Sequence, residues 1–377
     1  MYIKRIIAEK IAERMQPNRA VLIFGARRVG KTMLIKQITD GFAGKTMVMN
    51  GDDMDIQALL GDSSIANYQR LFSDIELLVI DEAQNIPDIG KKLKLIVDEI
   101  PGIKVIASGS SSFDLKNKTG EPLVGRATQF FLTPFSQAEI SQTENALDTR
   151  RNIETRLIYG SYPDVVLAKS NVLREEYLRD LVDAYLLKDI LSIDGLKNSS
   201  KMRDLLRLLS YQTGSEVSYD ELGRQTGMSR NTVERYLDLL SKVYVIYRIG
   251  GFSRNLRKEV AKAGKWYFYD LGVRNAVINN FSPLAIRQDT GAIWENYIIS
   301  ERMKRNYNLR LNHELFFWKT YDRQEIDLVE SASDMSLEAF EIKWGDKHPK
   351  CPVAFANAYP DATFTVLNRD NYIDYLI

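Results

Sequence analysis

The sequence contains a single cysteine, Cys351, among its 377 residues. A disulfide framework and a zinc site built on cysteines are therefore both excluded. Such scarcity is typical of proteins from a reducing compartment. The sequence also has no excess of one charge, with 51 Lys and Arg residues against 50 Asp and Glu residues. Any surface that binds nucleic acid must therefore be a local basic patch rather than a property of the whole chain.

Long hydrophobic runs are missing as well. No run of the sequence approaches the ~20 apolar residues that a membrane-spanning helix needs. Residues 1–11 have the pattern of an amphipathic helix, with Ile3, Ile6, Ile7 and Ile11 on one side, and lack the uninterrupted apolar core of a signal peptide. We therefore predict a cytoplasmic protein with no membrane partner. Hydrophobic residues make up 45% of the chain, which is enough for sizeable cores, and its length indicates two or three domains.

The most informative segment that is present is Gly25–Thr32, which reads Gly-Ala-Arg-Arg-Val-Gly-Lys-Thr. It fits the phosphate-binding loop pattern of glycine, four residues, glycine, lysine, and serine or threonine. The sequence predicts a buried strand just before it, at Ala20–Phe24, and a helix after it, at Thr32–Thr39. In that context the backbone N–H groups of the loop and the helix N-terminus face a polyphosphate.

The residue types of this loop each suit a phosphate ligand. Glycines allow the backbone angles and the close approach that a side chain would forbid. Lys31 would reach the β- and γ-phosphates, and the Thr32 hydroxyl would ligate Mg²⁺. The predicted ATP-binding residues of the loop and its flank are Gly25, Ala26, Arg27, Arg28, Val29, Gly30, Lys31, Thr32 and Met33.

An acidic pair follows about fifty residues later. Leu77–Glu82 reads as a buried strand that ends in two carboxylates, and the carboxyl end of a parallel strand can lie beside the phosphate loop. We expect Asp81 to hold Mg²⁺ through Thr32 or water. Glu82 would polarise the attacking water as general base.

Two further segments of this half carry candidate residues. Lys104–Ser112 reads as a core strand that ends in serines, and Ser108 or Ser110 could sense the γ-phosphate, although a serine-rich loop explains the same pattern. Ser110 is counted with the ATP-binding residues. Arg126 is a candidate for stabilising charge on the transferred phosphoryl group, in cis or from a neighbouring subunit. A salt-bridged surface arginine is the alternative. Strands alternate with helices up to about residue 135, which predicts a parallel α/β sheet.

A helix-turn-helix pattern occupies the segment 218–240. Ser218 and Glu221 form the pattern of a capping box, Gly227 provides a turn, and Ser229 can cap a second helix. Val233, Tyr236, Leu237 and Leu240 share one face of that helix. Its exposed first residues would be Arg230, Asn231 and Arg235, which suit phosphates or base edges.

Two strands, Val243–Arg248 and Trp266–Tyr269, would complete a winged helix. The segment 248–265 is the densest basic stretch of the chain. It contains Arg248, Arg254, Arg257, Lys258, Lys262 and Lys265 against one acid, Glu259. We therefore predict double-stranded DNA as a partner of residues 218–265. The alternative is that this module binds protein.

The last third of the chain carries a second possible catalytic cluster. Glu325–Val329 and Leu337–Trp344 read as alternating strands, so Glu341 and Lys343 point to the same face, with Asp327 on the adjacent strand. Two carboxylates and a lysine can bind Mg²⁺ and position a water for phosphodiester attack. Glu295, on a predicted helix, is a further metal ligand. A cross-strand salt bridge among Asp327, Glu341 and Lys343 is the alternative.

In this order, the segments resemble a family of prokaryotic AAA-type P-loop ATPases with a central winged helix and a C-terminal domain similar to PD-(D/E)XK nucleases. The resemblance rests on the nucleotide motifs at Gly25–Thr32, 78–84 and 106–112, and on further landmarks at 123–126, 132–136 and 160–163. It also rests on Trp294-Glu295, Glu325-Ile-Asp327 and Glu341-Ile-Lys343 near the end. It implies ATP binding with hydrolysis and a nuclease-like fold at the C-terminus. It also strengthens Arg126 and the Asp327, Glu341 and Lys343 cluster as catalytic candidates.

The predicted organisation has four parts. An AAA-type ATPase domain spans 1–140, a helical connector 141–210, a winged helix 211–280 and a nuclease-like α/β domain 281–377. The expected function is an Mg²⁺-dependent ATPase that couples ATP to DNA engagement. The alternative is an ATP-gated switch that binds DNA or protein and whose nuclease-like domain is catalytically silent. The oligomeric state stays open.

Overall fold

The computed structural model describes residues 2–110, 123–186, 199–253 and 264–377, with no side-chain description at 184–186 and 199. The chain divides into two compact units. The N-terminal unit comprises residues 2–134 and 242–244, and the C-terminal unit comprises residues 135–241 and 245–377.

The N-terminal unit is built on a five-stranded sheet in the order β2-β3-β4-β1-β5, in which every pairing is parallel. The strands are β1 (Arg19–Phe24), β2 (Thr46–Asn50), β3 (Leu77–Asp81), β4 (Lys104–Gly109) and β5 (Ala127–Phe131). The described helices are α1 (Ile7–Arg14), α2 (Lys31–Asp40), α3 (Met54–Leu59), α4 (Ile65–Phe72) and α5 (Ile89–Glu99), and a 3-10 turn spans Ala83–Asn85.

The central strands of this sheet are continuous apolar runs because helices cover both of their faces. Residues 20–24 of β1 and 77–80 of β3 are buried throughout. Parallel pairing also brings the carboxyl ends of all five strands to one edge, where the loop after β1 and the acidic pair of β3 both lie. The predicted parallel α/β fold of this half is confirmed.

The C-terminal unit begins with helices and ends with a mixed sheet. Its described α-helices are α6 (Gln137–Ile140), α7 (Ala146–Tyr159), α8 (Pro163–Leu167), α9 (Asn171–Asp180), α10 (Ser199–Tyr211), α11 (Tyr219–Thr226), α12 (Arg230–Lys242), α13 (Leu271–Val277), α14 (Thr290–Leu309), α15 (Val353–Ala358) and α16 (Tyr372–Leu376). A π-helical turn spans Leu181–Leu186, and a 3-10 turn spans Leu284–Ile286.

The sheet of the C-terminal unit has six strands in the order β11-β10-β9-β8-β6-β7. They are β6 (Ile246–Gly251), β7 (Lys265–Phe268), β8 (Glu314–Lys319), β9 (Glu325–Ser331), β10 (Leu337–Ile342) and β11 (Thr363–Leu367). β6 and β7 pair in antiparallel fashion, as expected for a wing. However, β6 also pairs with β8, so the two strands extend the C-terminal sheet.

The long helix α14 packs on this sheet through a buried ion pair. The guanidinium of Arg302 donates to both carboxylate oxygens of Glu330 on β9, at 2.6 and 2.9 Å. Both side chains are almost wholly buried, and removing one partner of such a pair leaves an uncompensated charge in the core. In the described part of the chain, no helix combines the length and the apolar character needed to cross a membrane.

Candidate functional site

The phosphate loop occupies residues 25–30, between the end of β1 and the start of α2. Two of its positions require glycine. A Cβ at Gly25 would lie 2.4 Å from the backbone oxygen of Leu132, and Gly30 has a φ of +95° at the cap of α2. The loop is also held from outside, because the buried Arg5 donates to the Val29 carbonyl oxygen. Arg5 lies in no recognisable motif, so no signal in the sequence indicates this contact.

Lys31 is the first residue of α2 and points back into the loop. Its Nζ donates to the carbonyl oxygens of Gly25, at 3.1 Å, and Ala26, at 3.2 Å. The side chain is 5% exposed, which is rare for a lysine and places its charge at the loop rather than in solvent. Arg27, Arg28, Thr32 and Met33 are exposed, whereas Ala26 and Val29 are buried.

The two predicted nucleotide motifs meet through a hydrogen bond. The Thr32 hydroxyl donates to Oδ2 of Asp81 at 2.7 Å, across 49 residues of sequence. Strand β4 lies between β1 and β3, and its fully buried Ser108 donates to the other carboxylate oxygen of Asp81. Ser108 therefore orients the carboxylate. From the sequence, Ser108 is predicted only as a sensor of the γ-phosphate.

Glu82 follows Asp81 at the same sheet edge and has a φ of +49°. Its backbone N–H donates to Ser108 Oγ at 3.2 Å, and its carboxylate accepts from Nε2 of Gln84 at 2.5 Å. Gln84 Nε2 also lies 3.5 Å from Ser110 Oγ, which places Ser110 beside the Glu82 carboxylate. Ser111 and Ser112 of the predicted serine cluster lie outside the described residues.

Arg126 is not brought to this site. It immediately precedes β5, which runs parallel to β1, so Arg126 lies at the amino edge of the sheet and the phosphate loop at the carboxyl edge. The four residue steps from Ala127 to Phe131 correspond to roughly 13 Å. Its Nε donates to Asp98 at 2.6 Å, as the alternative of a salt-bridged surface arginine predicts.

The C-terminal unit does bring its predicted residues together. In the antiparallel register Phe340 faces Leu328, so one step further Glu341 faces Asp327. Lys343 Nζ lies 2.6 Å from Glu341 Oε1 and 3.4 Å from Asp327 Oδ2. Asp327 also accepts from the backbone N–H of Ile342, at 2.7 Å. The Asp327 side chain thus ties the two strands to each other.

A second lysine, which the sequence analysis did not place here, completes the acidic cluster. Lys265 on β7 lies 2.6 Å from Glu325 Oε1 and 3.6 Å from Glu295 Oε1, and its side chain is 4% exposed. Tyr267 donates to Glu295 at 2.7 Å. We call Lys265, Glu295, Glu325, Asp327, Glu341 and Lys343 the acidic cluster.

Burial and crowding shift the titration of this cluster. Burial raises the pKa of Glu295 to about 7, the nearby Lys265 opposes this rise, and the Asp327 carboxylate adds to it. Burial also raises the pKa of Glu341, with Asp327 adding to the rise. Burial alone would lower the pKa of Lys343, but the Asp327 and Glu341 carboxylates raise it above its ordinary value. The lysines are therefore charged near pH 7, while Glu295 is partly protonated.

The arrangement is that of interleaved lysines and carboxylates. Within the described ranges, no three Asp, Glu, His or Cys side chains are grouped closely enough to hold one metal ion. The predicted metal ligands Glu295, Asp327 and Glu341 are thus neighbours in one cluster, but Lys343 lies between two of them and Lys265 contacts the third.

The helix-turn-helix segment forms the two expected helices, α11 and α12. Ser218 accepts from the Glu221 backbone N–H at α11, Gly227 ends that helix with a φ of +64°, and Ser229 accepts from the Thr232 N–H at α12. The predicted apolar face of α12 is buried, and Arg230, Asn231 and Arg235 are exposed.

The adjacent basic stretch is described only in part. Arg248 is exposed, and Arg254, Arg257, Lys258, Glu259 and Lys262 lie outside the described residues. For Lys265 the expectation of DNA contact is wrong, because the pairing of β6 with β7 turns this side chain into the acidic cluster.

Three family models match successive parts of the chain. Residues 17–141 match a family described as an AAA domain, residues 150–284 match a domain of unknown function, DUF8612, and residues 290–373 match another, DUF4143. The first match shows that residues 17–141 are similar to AAA domains, in agreement with the phosphate loop and the parallel sheet of this segment. The winged-helix and nuclease-like parts of the resemblance stay predictions.

Curated relatives cover most of the chain. An uncharacterized protein of Mycobacterium tuberculosis is 24% identical over 90% of this chain and 74% of its own length. An uncharacterized protein of Methanocaldococcus jannaschii is 23% identical over 89% of this chain and 81% of its own length. An uncharacterized protein of Haemophilus influenzae is also 23% identical, over 85% of this chain and 82% of its own length.

Solved structures align less closely. A signal transduction ATPase with numerous domains, which carries a tetratricopeptide repeat sensor and comes from Pyrococcus horikoshii, gives a TM-score of 0.31 at 14% identity. That alignment covers 82% of this chain and 48% of the other. The RuvB Holliday junction branch migration motor of Thermotoga maritima also gives 0.31 at 14% identity, over 65% of this chain and 90% of the motor.

Proposed function

We propose that this chain is an Mg²⁺-dependent ATPase whose nucleotide cycle controls engagement of DNA by the C-terminal unit. The observation that carries the proposal is the 2.7 Å hydrogen bond from Thr32 to Asp81. It joins the phosphate loop to the acidic end of β3 at one edge of a parallel sheet, which is where α/β folds bind their ligands. A chance match to either motif would not produce this contact.

The loop supplies what a triphosphate requires. Its N–H groups and the N-terminus of α2 favour negative charge, and the buried ammonium of Lys31 lies against the same loop. When ATP is bound, Lys31 exchanges its contacts with the Gly25 and Ala26 carbonyls for phosphate oxygens. Charge-assisted hydrogen bonds of this kind are about twice as strong as neutral ones.

The oxygens of Thr32 and Asp81 fit Mg²⁺, a hard cation that keeps several waters and takes one or two protein ligands beside the phosphates. When bound, Mg²⁺ supplies positive charge at the phosphate oxygens. Ser108 holds the Asp81 carboxylate in place for this role.

Glu82 is the group that would accept a proton from the attacking water. Its carboxylate is fixed by the hydrogen bond from Gln84, so Gln84 acts as a positioning residue. Arg126 is too far along the sheet to reach its own loop. A role in phosphoryl transfer would therefore have to be toward the nucleotide of a neighbouring copy. Mg²⁺-dependent release of phosphate from ATP by the purified chain tests the proposal, and its absence would reject hydrolysis.

The proposed DNA contact uses the exposed start of α12. Arg230 and Arg235 are exposed there, and Asn231 lies between them. The N-terminal residues of the second helix are the ones that contact base edges and phosphates in helix-turn-helix proteins.

Replacing both Arg230 and Arg235 by alanine is expected to weaken binding of duplex DNA and to lower the salt dependence. The slope of log K against log salt should fall by about two, one for each lost phosphate contact. Fluorescence anisotropy over a salt series measures this. Lys169→Ala, an exposed cation elsewhere in the same unit, is the control. An unchanged slope in the double variant would assign the helix-turn-helix to protein binding instead.

The acidic cluster favours the second candidate function, an ATP-gated switch without nuclease activity. The observation is Lys265, a buried ammonium that contacts the two carboxylates, Glu295 and Glu325. Lys265 already neutralises charge that a divalent cation would otherwise compensate. We therefore propose that the nuclease-like domain is catalytically silent and that the chain is an ATP-gated switch that binds DNA or protein.

Lys265→Met is expected to destabilise the chain by about 1–3 kcal/mol, because it removes the buried ammonium that compensates the partly buried carboxylates of Glu295 and Glu325. Mn²⁺ should recover part of this loss in the variant and change the wild type little, since a ligand stabilises only the state that binds it. Urea unfolding in EDTA and in Mn²⁺ measures both effects. Lys319→Met is the matched control: Lys319 contacts the same Glu325 but is half-exposed, so we expect a cost below about 1 kcal/mol.

Cleavage assays separate the two candidates directly. Under the switch proposal, DNA and RNA stay intact in Mg²⁺ or Mn²⁺. Metal-dependent cutting that is lost in both Asp327→Ala and Lys343→Ala would overturn it and establish a nuclease.

A further inference from the structure

A cavity of about 400 Å³ opens in the C-terminal unit where two strands part. β6 and β8 pair over two register positions, Gly250 with Phe316 and Gly251 with Phe317. Toward Tyr247 the strands diverge, and the last turns of α14 close the gap with Met303, Asn306 and Tyr307. The volume lies within the roughly 300–1,000 Å³ typical of small-molecule sites.

Two residues that line this cavity carry buried polar groups with no hydrogen-bond partner in the described part of the chain. These groups are the side-chain amide of Asn306, at both Nδ2 and Oδ1, and the hydroxyl of Tyr247. Asn306 is 6% exposed and Tyr247 9% exposed. Buried polar groups are nearly always hydrogen-bonded, because their desolvation is otherwise uncompensated. Asn306 and Tyr247 both line this cavity, so a ligand toward which the Asn306 amide turns would satisfy that amide.

The rest of the wall is mostly aromatic and apolar. The rings of Tyr247 and Tyr269 lie 4.9 Å apart, and Tyr307 and Phe316 also face the cavity. Aromatic walls favour a flat ligand through stacking. Arg248, which is exposed, and His313 stand among the lining residues and can meet an anionic substituent.

We propose that this cavity binds a nucleobase, with adenine as the best match. An asparagine amide pairs with adenine through two hydrogen bonds, with Oδ1 accepting from N6 and Nδ2 donating to N7. The last side-chain torsion of asparagine is broad, so the buried amide can turn toward the base without strain.

The proposal does not depend on the ATPase. The cavity belongs to the C-terminal unit and the phosphate loop to the N-terminal unit. The base can come from a free nucleoside or nucleotide, or from a nucleotide of a single strand. Both sources present the same edge to Asn306, so the experiment must distinguish them.

The test uses the full chain with Lys31→Ala, titrated by calorimetry with adenosine, guanosine and a short deoxyadenosine oligomer. Adenosine has no phosphate, so its affinity for the phosphate loop should be low. We expect adenosine or the oligomer to bind, and binding of the oligomer alone would identify a strand as the source. Introducing Asn306→Leu into the Lys31→Ala chain should weaken binding of adenosine or the oligomer at least tenfold. Asn312→Leu, an exposed position six residues away, should leave it unchanged.

Thermal unfolding checks that the variants fold. Because Asn306→Leu removes an amide without partners, the melting temperature should not fall. Should that variant nevertheless fail to fold, Asn306→Asp provides a second test, since it replaces the donor by an acceptor and should shift the preference from adenosine to guanosine. Binding of neither adenosine nor the oligomer, or equal binding by the Asn306 variants, would overturn the proposal.

Discussion

Replacing Lys31 by alanine is expected to weaken ATP binding by at least about 100-fold. The ammonium would make charge-assisted contacts with two phosphates, each worth about 1.5–3 kcal/mol, and a factor of ten in affinity corresponds to about 1.4 kcal/mol. Equilibrium binding of a fluorescent ATP analogue measures the loss. The fold should survive, because Lys31 contacts backbone carbonyls of a loop that Arg5 also holds.

The control for this variant is Lys36→Ala. Lys36 lies on the same helix, carries the same charge and is exposed, so its removal tests whether the effect is specific to the loop. Wild-type affinity in the Lys31 variant would show that the loop does not bind phosphate.

Glu82→Gln is expected to separate binding from hydrolysis. The amide keeps the shape of the carboxylate but cannot accept a proton at neutral pH, so kcat should fall by about 10²–10⁴-fold. The Kd for ATP should change little, because Glu82 does not belong to the loop that holds the phosphates. Phosphate release under single-turnover conditions, together with the Kd, gives both quantities.

Two variants complete this experiment. Glu9→Gln removes an exposed carboxylate from the same unit and should leave hydrolysis unchanged. Gln84→Ala should lower kcat less than Glu82→Gln does and leave the KM unchanged, because Gln84 acts by orienting Glu82. Undiminished hydrolysis in Glu82→Gln would assign the base to another group.

The Lys31→Ala and Glu82→Gln variants also test whether ATP binding controls DNA binding. Glu82→Gln should trap the ATP-bound state, and the Lys31 variant should stay free of ATP. A ligand shifts an equilibrium only if it binds the two states with different affinities. If ATP controls DNA engagement, the two variants should therefore differ in their affinity for DNA. Equal DNA affinities would show that ATP binding is not coupled to DNA binding by the helix-turn-helix.

Much of the N-terminal unit could be predicted from the sequence because its signals are local. The phosphate-binding motif is eight consecutive residues, Gly25–Thr32, and the buried strands before it and at Leu77–Asp81 are continuous apolar runs. The caps of the helix-turn-helix at Ser218 and Ser229 are local in the same sense, since each bonds a backbone N–H three residues away.

Contacts that depend on which strands become neighbours could not be predicted. Ser108 reaches Asp81 because β4 lies between β1 and β3, an order that no local pattern encodes. Arg126 lies away from the loop for the same reason, since the parallel pairing of β5 with β1 places it at the other sheet edge. The sequence around Gly125 does not indicate whether β5 runs parallel or antiparallel to β1, and this direction decides at which sheet edge Arg126 lies.

The sequence by itself determined the phosphate loop, its acidic partners and the alternating strands that carry Asp327, Glu341 and Lys343. Their roles rest on residue types at short spacing, which a single segment specifies. Only the tertiary structure decided that Lys265 belongs to the acidic cluster and that Asn306 and Tyr247 share a cavity. Those groups lie 30 or more residues from their partners, and only strand pairing and helix packing bring them together.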